Sequence, residues 1–285
     1  MKTIIVKGPA LSRSGYGEQT RFALEALRSR PDVFDVHIIN IPWGQTGHVA
    51  ANTELIQWII ETMNKTQLYL QHNQGNVSYD VSLQVTVPNE FERMADLNVG
   101  YTAGIETTKI APAWIDKTNA VIDKLITISE HSKKGFEQTS YDVRDPQTGE
   151  VRKGWKITKP VEVVGYPIRE AEPEALDVEF STSNNFLAVS QWGVRKNLDN
   201  TIRWFVEEFK DDPDAGLILK TNTMADSIMD RHHTGARLEA LLSEASTWGV
   251  EDRKCKIYLL HGELTEGNLA WLYQHPTLKS YINIS

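Results

Sequence analysis

Between Asn185 and Asn222 the chain reads NFLAVSQWGVRKNLDNTIRWFVEEFKDDPDAGLILKTN, and strand, polar turn, amphipathic helix, strand is the order that satisfies it. Phe186 to Val189 is a short apolar run, Ile202, Phe205 and Phe209 recur at helical spacing, and Leu217 to Leu219 is apolar again. That is the repeating unit of an open α/β sheet. Such sheets take ligands outside the carboxyl ends of their strands, where backbone N–H groups at a helix start favour an anion. Gly193, Arg195 and Lys196 occupy this turn, and two adjacent cations there suit a diphosphate. The same pair also fits the plain start of a solvated helix.

The alternation begins at the amino terminus. Thr3 to Val6 reads as a buried strand feeding Gly8-Pro9-Ala10-Leu11-Ser12-Arg13-Ser14-Gly15-Tyr16-Gly17, and Phe22, Ala23, Leu24 and Leu27 give the next helix its apolar face. Strand, glycine-bearing loop, helix lets backbone approach a phosphate. The loop is neither G-x-G-x-x-G nor a P-loop, so a plain turn and a ligand loop both fit it. Phe34 to Ile41 is a second strand and Asn52 to Asn64 a helix. Gln67 to His72 reads as a strand with His72 at its end, and Val81 to Val87 as another, closed by Pro88. Next come a strand at Asn98 to Thr102 with a polar loop through Glu106, a helix opened by Pro112, Trp114 and Ile115, a strand at Lys124 to Ser129 and a helix at Glu130 to Gln138. Asp142 to Thr158 reads as a short hairpin inserted around Pro146-Gln147-Thr148-Gly149.

Val161 to Val164 resumes the sheet. Gly165-Tyr166-Pro167 and the acidic Glu170 to Glu179 then form the linker, because periodicity stops there. Two domains follow, 1–170 and 180–285. Beyond Asn222 the second holds a helix at Arg231 to Thr247, a strand at Lys256 to Leu260, the turn His261-Gly262-Glu263-Leu264-Thr265, a helix at Glu266 to His275 and a strand beginning at Tyr281 to Ile284.

These residues resemble the GT-B glycosyltransferases, specifically the retaining family-4-like group (glycosyl transferases group 1). The match lies in a strand ending Val-Ser, then Arg-Lys-Asn, a helix, and a strand ending in Lys220-Thr221. Gly-Tyr-Thr followed by Glu-Thr in the first half, and the Gly-x-Leu-Thr turn at Gly262, extend it over essentially the whole chain. The resemblance implies two Rossmann-like domains, an acceptor-side one at 1–170 and a nucleotide-sugar-binding one at 180–285. It implies sugar transfer from a nucleoside-diphosphate-sugar to a carbohydrate, lipid or protein acceptor, a hexosyltransferase-type reaction with no cofactor and no metal. Arg195 and Lys196 would then hold the leaving diphosphate, with Glu106 beside the sugar. Ser14, Gly15, Tyr16 and Gly17 would face the phosphates, while Lys220, Thr221, Gly262, Glu263 and Leu264 would line the nucleotide pocket.

The family continues past this point with an acidic Gly-Phe-Gly-Leu-Pro segment that would follow Ser285, so the resemblance implies an incomplete second domain. An interrupted sheet edge is expected to self-associate. Two other readings stay open: a catalytically silent sugar-nucleotide or carbohydrate binding module, and a GT-B-type sugar-nucleotide epimerase.

At 285 residues, 40% hydrophobic and 24% charged, the chain has the composition of a soluble globular protein with room for two ordinary domains. No apolar run approaches the ~20 residues needed to span a bilayer. A formal net charge of −8 argues against a general nucleic-acid binder. The single cysteine, Cys255, agrees with a reducing cytoplasm. His232 and His233, adjacent on a helix, point about 100° apart and do not chelate one ion together.

Overall fold

A computed structural model describes residues 1–44, 46–49, 52–144, 149–244 and 252–284, with backbone alone at position 152. The chain divides into two compact units, Met1–Ile168 and Arg169–Ser285. Each is α/β with a parallel main sheet, the fold class expected from the alternation.

In the first unit β1 (Lys2–Gly8), α1 (Gly15–Arg28), β2 (Phe34–Asn40), α2 (Glu54–His72), β3 (Val81–Val85) and β4 (Leu97–Thr102) succeed one another. After them come α3 (Pro112–Val121), β5 (Lys124–Thr127), α4 (Glu130–Gln138), the hairpin β6 (Ser140–Arg144) and β7 (Val151–Lys156), and β8 (Val161–Val163). The sheet order is β2-β1-β3-β4-β5-β8, all parallel. One face packs Ile4, Val6, Val36 and Ile38 against Leu24 of α1 and Ile56 and Ile59 of α2. A second cluster joins Leu125 and Val161 to Ile110, Ile115 and Phe136. Fully burying one such side chain contributes about 1.5–3 kcal/mol.

Two of the strands read from the sequence are placed differently by the structure. Gln67 to His72 is not a strand but the last turns of α2. Thr66 is buried on that helix, where its Oγ1 donates to Thr62 O at 2.8 Å and accepts from Ile38 N at 2.9 Å, and this docks the extended helix on β2. The chain reverses only after Asn73, at Gln74 and Gly75, both with positive φ. His72 therefore sits exposed on a helix. The alternation over Val81 to Val87 marks a central strand in which polar Ser82 and Gln84 are fully buried, since Ser82 bonds Asn98 and Gln84 bonds the backbone of Glu92. The tip of the β6–β7 hairpin, Pro146 to Thr148, lies outside the described residues.

In the second unit β9 (Asn184–Val189), α5 (Leu198–Phe209), β10 (Ala215–Lys220), α6 (Ile228–Ser243), β11 (Lys256–Leu260), α7 (Glu266–Tyr273) and β12 (Leu278–Tyr281) build a parallel sheet of order β11-β10-β9-β12. Leu198, Ile202, Phe205 and Val206 of α5 cover Ala188, Leu217 and Leu219, with Leu238 and Leu241 of α6 and the buried Cys255 alongside. Leu187, Ile218 and Leu272 form the opposite face. The last strand is Leu278–Tyr281 rather than Tyr281 to Ile284, because Asn185 N donates to Thr277 O and Ile282 N to Leu187 O, which sets pairing with β9 earlier in the chain. Among the described residues no helix is long and apolar enough to cross a membrane.

Candidate functional site

Strand order locates the candidate loops. In the first unit β2 lies on one side of β1 and β3 on the other, so the connection from β1 to β2 and those that build the sheet onward from β3 run in opposite directions and open a crevice at the carboxyl ends of β1 and β3. The glycine-bearing loop, Gly8 to Gly17, is that of β1. In the second unit the direction reverses between β9 and β12, which puts the crevice at the loop after β9 that carries Arg195 and Lys196.

Ser14 caps α1, its Oγ accepting from Gly17 N at 3.0 Å. The Gly17 N–H is thereby used within the chain. Helix geometry leaves those of Gly15 and Tyr16 without intrahelical acceptors. Gly17 is glycine for a packing reason, since a Cβ there would lie 2.0 Å from Ser12 O. Gly15 is exposed, and a Cβ added to it would meet nothing within 4 Å, so internal packing does not require glycine. The loop is held from beneath by Arg21, buried on α1, which donates through Nη1 to Ala10 O at 2.8 Å and Ser12 O at 2.9 Å and pairs with Glu18.

Tyr16, in the first turn of α1, ties the ends of β2 and β4 together. Its Oη lies 2.8 Å from Thr102 Oγ1 at the end of β4 and accepts from Ala103 N at 3.2 Å, while its ring packs 4.4 Å from that of Trp43 after β2. Burial raises its pKa, against the Thr102 and Ala103 bonds, and the negative charge of Glu90 adds to the rise. Nearby, burial pushes the Tyr166 hydroxyl up to about 12, with Tyr16 and Tyr101 contributing. Tyr166 donates to Gln19 Oε1 at 3.2 Å. Glu106 lies exposed in the loop between β4 and α3, beyond Gly104 at φ +81°.

In the second unit Arg195 and Lys196 lie on a short 3-10 turn, Val194–Lys196, rather than in the first turn of α5. Asn197, left-handed at φ 52°, separates them from the helix. Arg195 is exposed and Lys196 half-buried. The loop is fixed by Trp192, buried, whose Nε1 donates to Asp199 Oδ1 at 3.3 Å and whose ring lies 4.6 Å beneath the Arg237 guanidinium. Arg237 in turn donates to Asp199 Oδ2 at 2.9 Å and to Trp192 O at 3.2 Å. Trp192, Asp199 and Arg237 escaped the sequence reading; a tryptophan one residue before the loop glycine was the available signal.

Lys220 ends β10 and donates from Nζ to Gly262 O at 2.7 Å, joining the carboxyl ends of β10 and β11. Thr221 is buried and its N donates to Leu260 O at 3.2 Å. Gly262, at φ +107°, takes a turn that disfavours side chains, with Glu263 exposed after it and Leu264 packed on the smaller core face. The structure thus gathers Lys220, Thr221 and Gly262 at one edge with the Arg195–Lys196 loop, and separately gathers Ser14 to Gly17 with Thr102. Asp212-Pro213-Asp214 lies at the opposite, amino edge, where Asp214 N donates to Asp212 Oδ1 at 2.8 Å in the turn before β10. His232 and His233 are exposed on α6.

No protein-family model and no curated protein matches the sequence. Solved structures do. The apo form of WaaB, a lipopolysaccharide outer core galactosyltransferase, aligns at TM-score 0.50 and 12% identity over 100% of this chain and 74% of that one. The fold is of the GT-B type. A trehalose-6-phosphate synthase structure concerned with enzymatic glycosyltransfer with retention aligns at TM-score 0.49 and 11% identity, covering 96% of this chain and 76% of that one. An E. coli structure described as trehalose-6-phosphate bound with UDP-2-fluoro glucose aligns at 0.46 and 11%, covering 95% and 76%. At 12% identity the likeness to WaaB is one of fold alone, and it leaves donor and acceptor open.

Proposed function

We propose that this GT-B chain is a glycosyltransferase of the family-4-like kind that moves a hexosyl group from a nucleoside-diphosphate-sugar to a hydroxyl-bearing acceptor. The second unit holds the donor and the first receives the acceptor. The observation that carries the reading is the position of Arg195 and Lys196 at the topological switch point of a parallel sheet, on a loop braced by Trp192, Asp199 and Arg237. Cations fixed before the reaction stabilise charge that develops on a leaving diphosphate without reorganising, which is the largest catalytic term available to such a site. With that charge met by protein groups, transfer needs no metal. Lys220, Thr221 and Gly262 form the wall against which a base and ribose would lie. WaaB, which shares the fold, is a galactosyltransferase, and this supports the reaction class.

Calorimetric titration of UDP, GDP and ADP into the protein, followed by the same series on Lys196→Ala, tests the reading. Binding of one diphosphate that weakens at least tenfold in the variant is expected. Failure of all three to bind the wild-type protein would overturn it.

A further inference from the structure

β3 ends at Val85, and the chain turns directly into the 3-10 helix Pro88–Glu90 at the first unit's switch point. Pro88 is buried and Phe91 fully buried, so the backbone is pinned on both sides of Glu90, which is itself exposed. Thr86, fully buried, donates from Oγ1 to Glu90 Oε2 at 2.5 Å and selects the side-chain conformation. Lys7, buried at the end of β1, donates to the Glu90 carbonyl at 3.1 Å and pairs with Glu92 Oε2 at 3.1 Å. A carboxylate held this way is preorganised before any ligand arrives. An ionised carboxylate offers roughly four lone-pair sites and accepts only, so with one site given to Thr86 it has capacity for hydroxyl donors. The negative charge of Glu90 reaches Tyr16, whose hydroxyl marks the adjoining ends of α1 and β4.

We propose that Glu90 is a carboxylate that binds the acceptor, taking a charge-assisted hydrogen bond from a hydroxyl of a neutral saccharide. The inference rests on the glycosyltransferase reading above. It is specific about substrate class, because a phosphorylated or carboxylated group at this point would face the Glu90 charge while Lys7 is already paired with Glu92.

The test is saturation-transfer NMR with the methyl glycosides of glucose, galactose and mannose on wild type, Glu90→Gln and Glu106→Gln, with UDP, GDP and ADP titrated in parallel. Glu90→Gln keeps a carbonyl for Thr86 and removes the charge, so the variant remains folded. At least one glycoside is expected to bind wild type, to bind Glu90→Gln about tenfold more weakly and to bind Glu106→Gln unchanged, with diphosphate affinity equal in all three. Equal glycoside binding by Glu90→Gln, loss in Glu106→Gln instead, or no glycoside binding to wild type overturns the assignment. Glycoside binding that depends on Glu90 in a protein that binds no diphosphate supports the Glu90 site and overturns the glycosyltransferase reading instead.

Discussion

His261 Nε2 lies 3.0 Å from Asp230 Oδ2, and both side chains are buried at the carboxyl edge of the second sheet. The pair joins the loop after β11 to the start of α6. Asp230 also accepts from Thr223 N and Met224 N, each at 3.0 Å, so one carboxylate shapes the whole connection between β10 and α6. Burial pushes its pKa up, but the bonds from His261 and from the N–H groups of Thr223, Met224 and Ala225 outweigh this and hold it below the ordinary carboxylate value.

Asp230→Ala should therefore be strongly destabilising, because it leaves the N–H groups of Thr223 and Met224 without their acceptor, at about 1–3 kcal/mol for each buried donor. Because the folded pKa is depressed, the contribution of Asp230 is present above the unfolded carboxylate value and is lost as pH falls through the folded one. Urea unfolding at several acidic pH values measures both, and a wild-type pH slope retained in Asp230→Asn would refute the account.

His37 gives the opposite group with the same direction of pH dependence. It is buried on β2 with ring centroids 4.9 Å from Tyr69 and 5.2 Å from Tyr79, and its Nε2 is 3.6 Å from Asp35, which Lys65 pairs at 2.8 Å. Burial lowers its pKa and the Lys65 charge lowers it further, while Asp35 opposes both. Between the folded value and the unfolded value of about 6.5 the unfolded chain binds more protons. Stability from this site is complete above about pH 6.5 and declines as pH falls toward the folded value. Melting temperatures between pH 7.5 and 5 should fall less in His37→Gln than in wild type.

The two loop glycines should separate folding from binding. Gly17→Ala would drive a Cβ into Ser12 O and should lower the melting temperature sharply, since backbone has to move. Gly15→Val meets open space and should leave melting within a few degrees while weakening nucleoside-diphosphate binding, because a bulky side chain obstructs approach to the first-turn N–H groups. Undiminished diphosphate affinity in Gly15→Val would make the loop a turn alone.

Lys196→Ala should weaken nucleoside-diphosphate binding by about 1.5–3 kcal/mol, the range for hydrogen bonds to charged groups, with melting nearly unchanged. Arg237→Ala should weaken binding through the loop instead, because it removes both the stacking on Trp192 and the bond to Asp199. Its melting temperature should drop as well, and that difference from Lys196→Ala is read directly by calorimetry.

The alternation of apolar runs and helical spacing was sufficient to call for α/β architecture, and it positioned the strand ends that carry Arg195, Lys196, Lys220 and Gly262. Those signals are local: a period of two or 3.6 residues and the glycines and prolines that interrupt it. Where the local signal was weak, long-range packing decided. Gln67 to His72 extends α2 because Thr66 binds β2, and the last strand begins at Leu278 because β9 sets its register. Lys7 on the Glu90 carbonyl, Asp230 against His261, and Arg237 over Trp192 leave no periodic trace, since each pairs residues brought together by strand order and crossover direction. Residue types and the ends of strands were thus written in the sequence. Which side chains meet there was decided by the tertiary structure, because a hydrogen bond over about 3 Å depends on distances that sequence spacing does not determine.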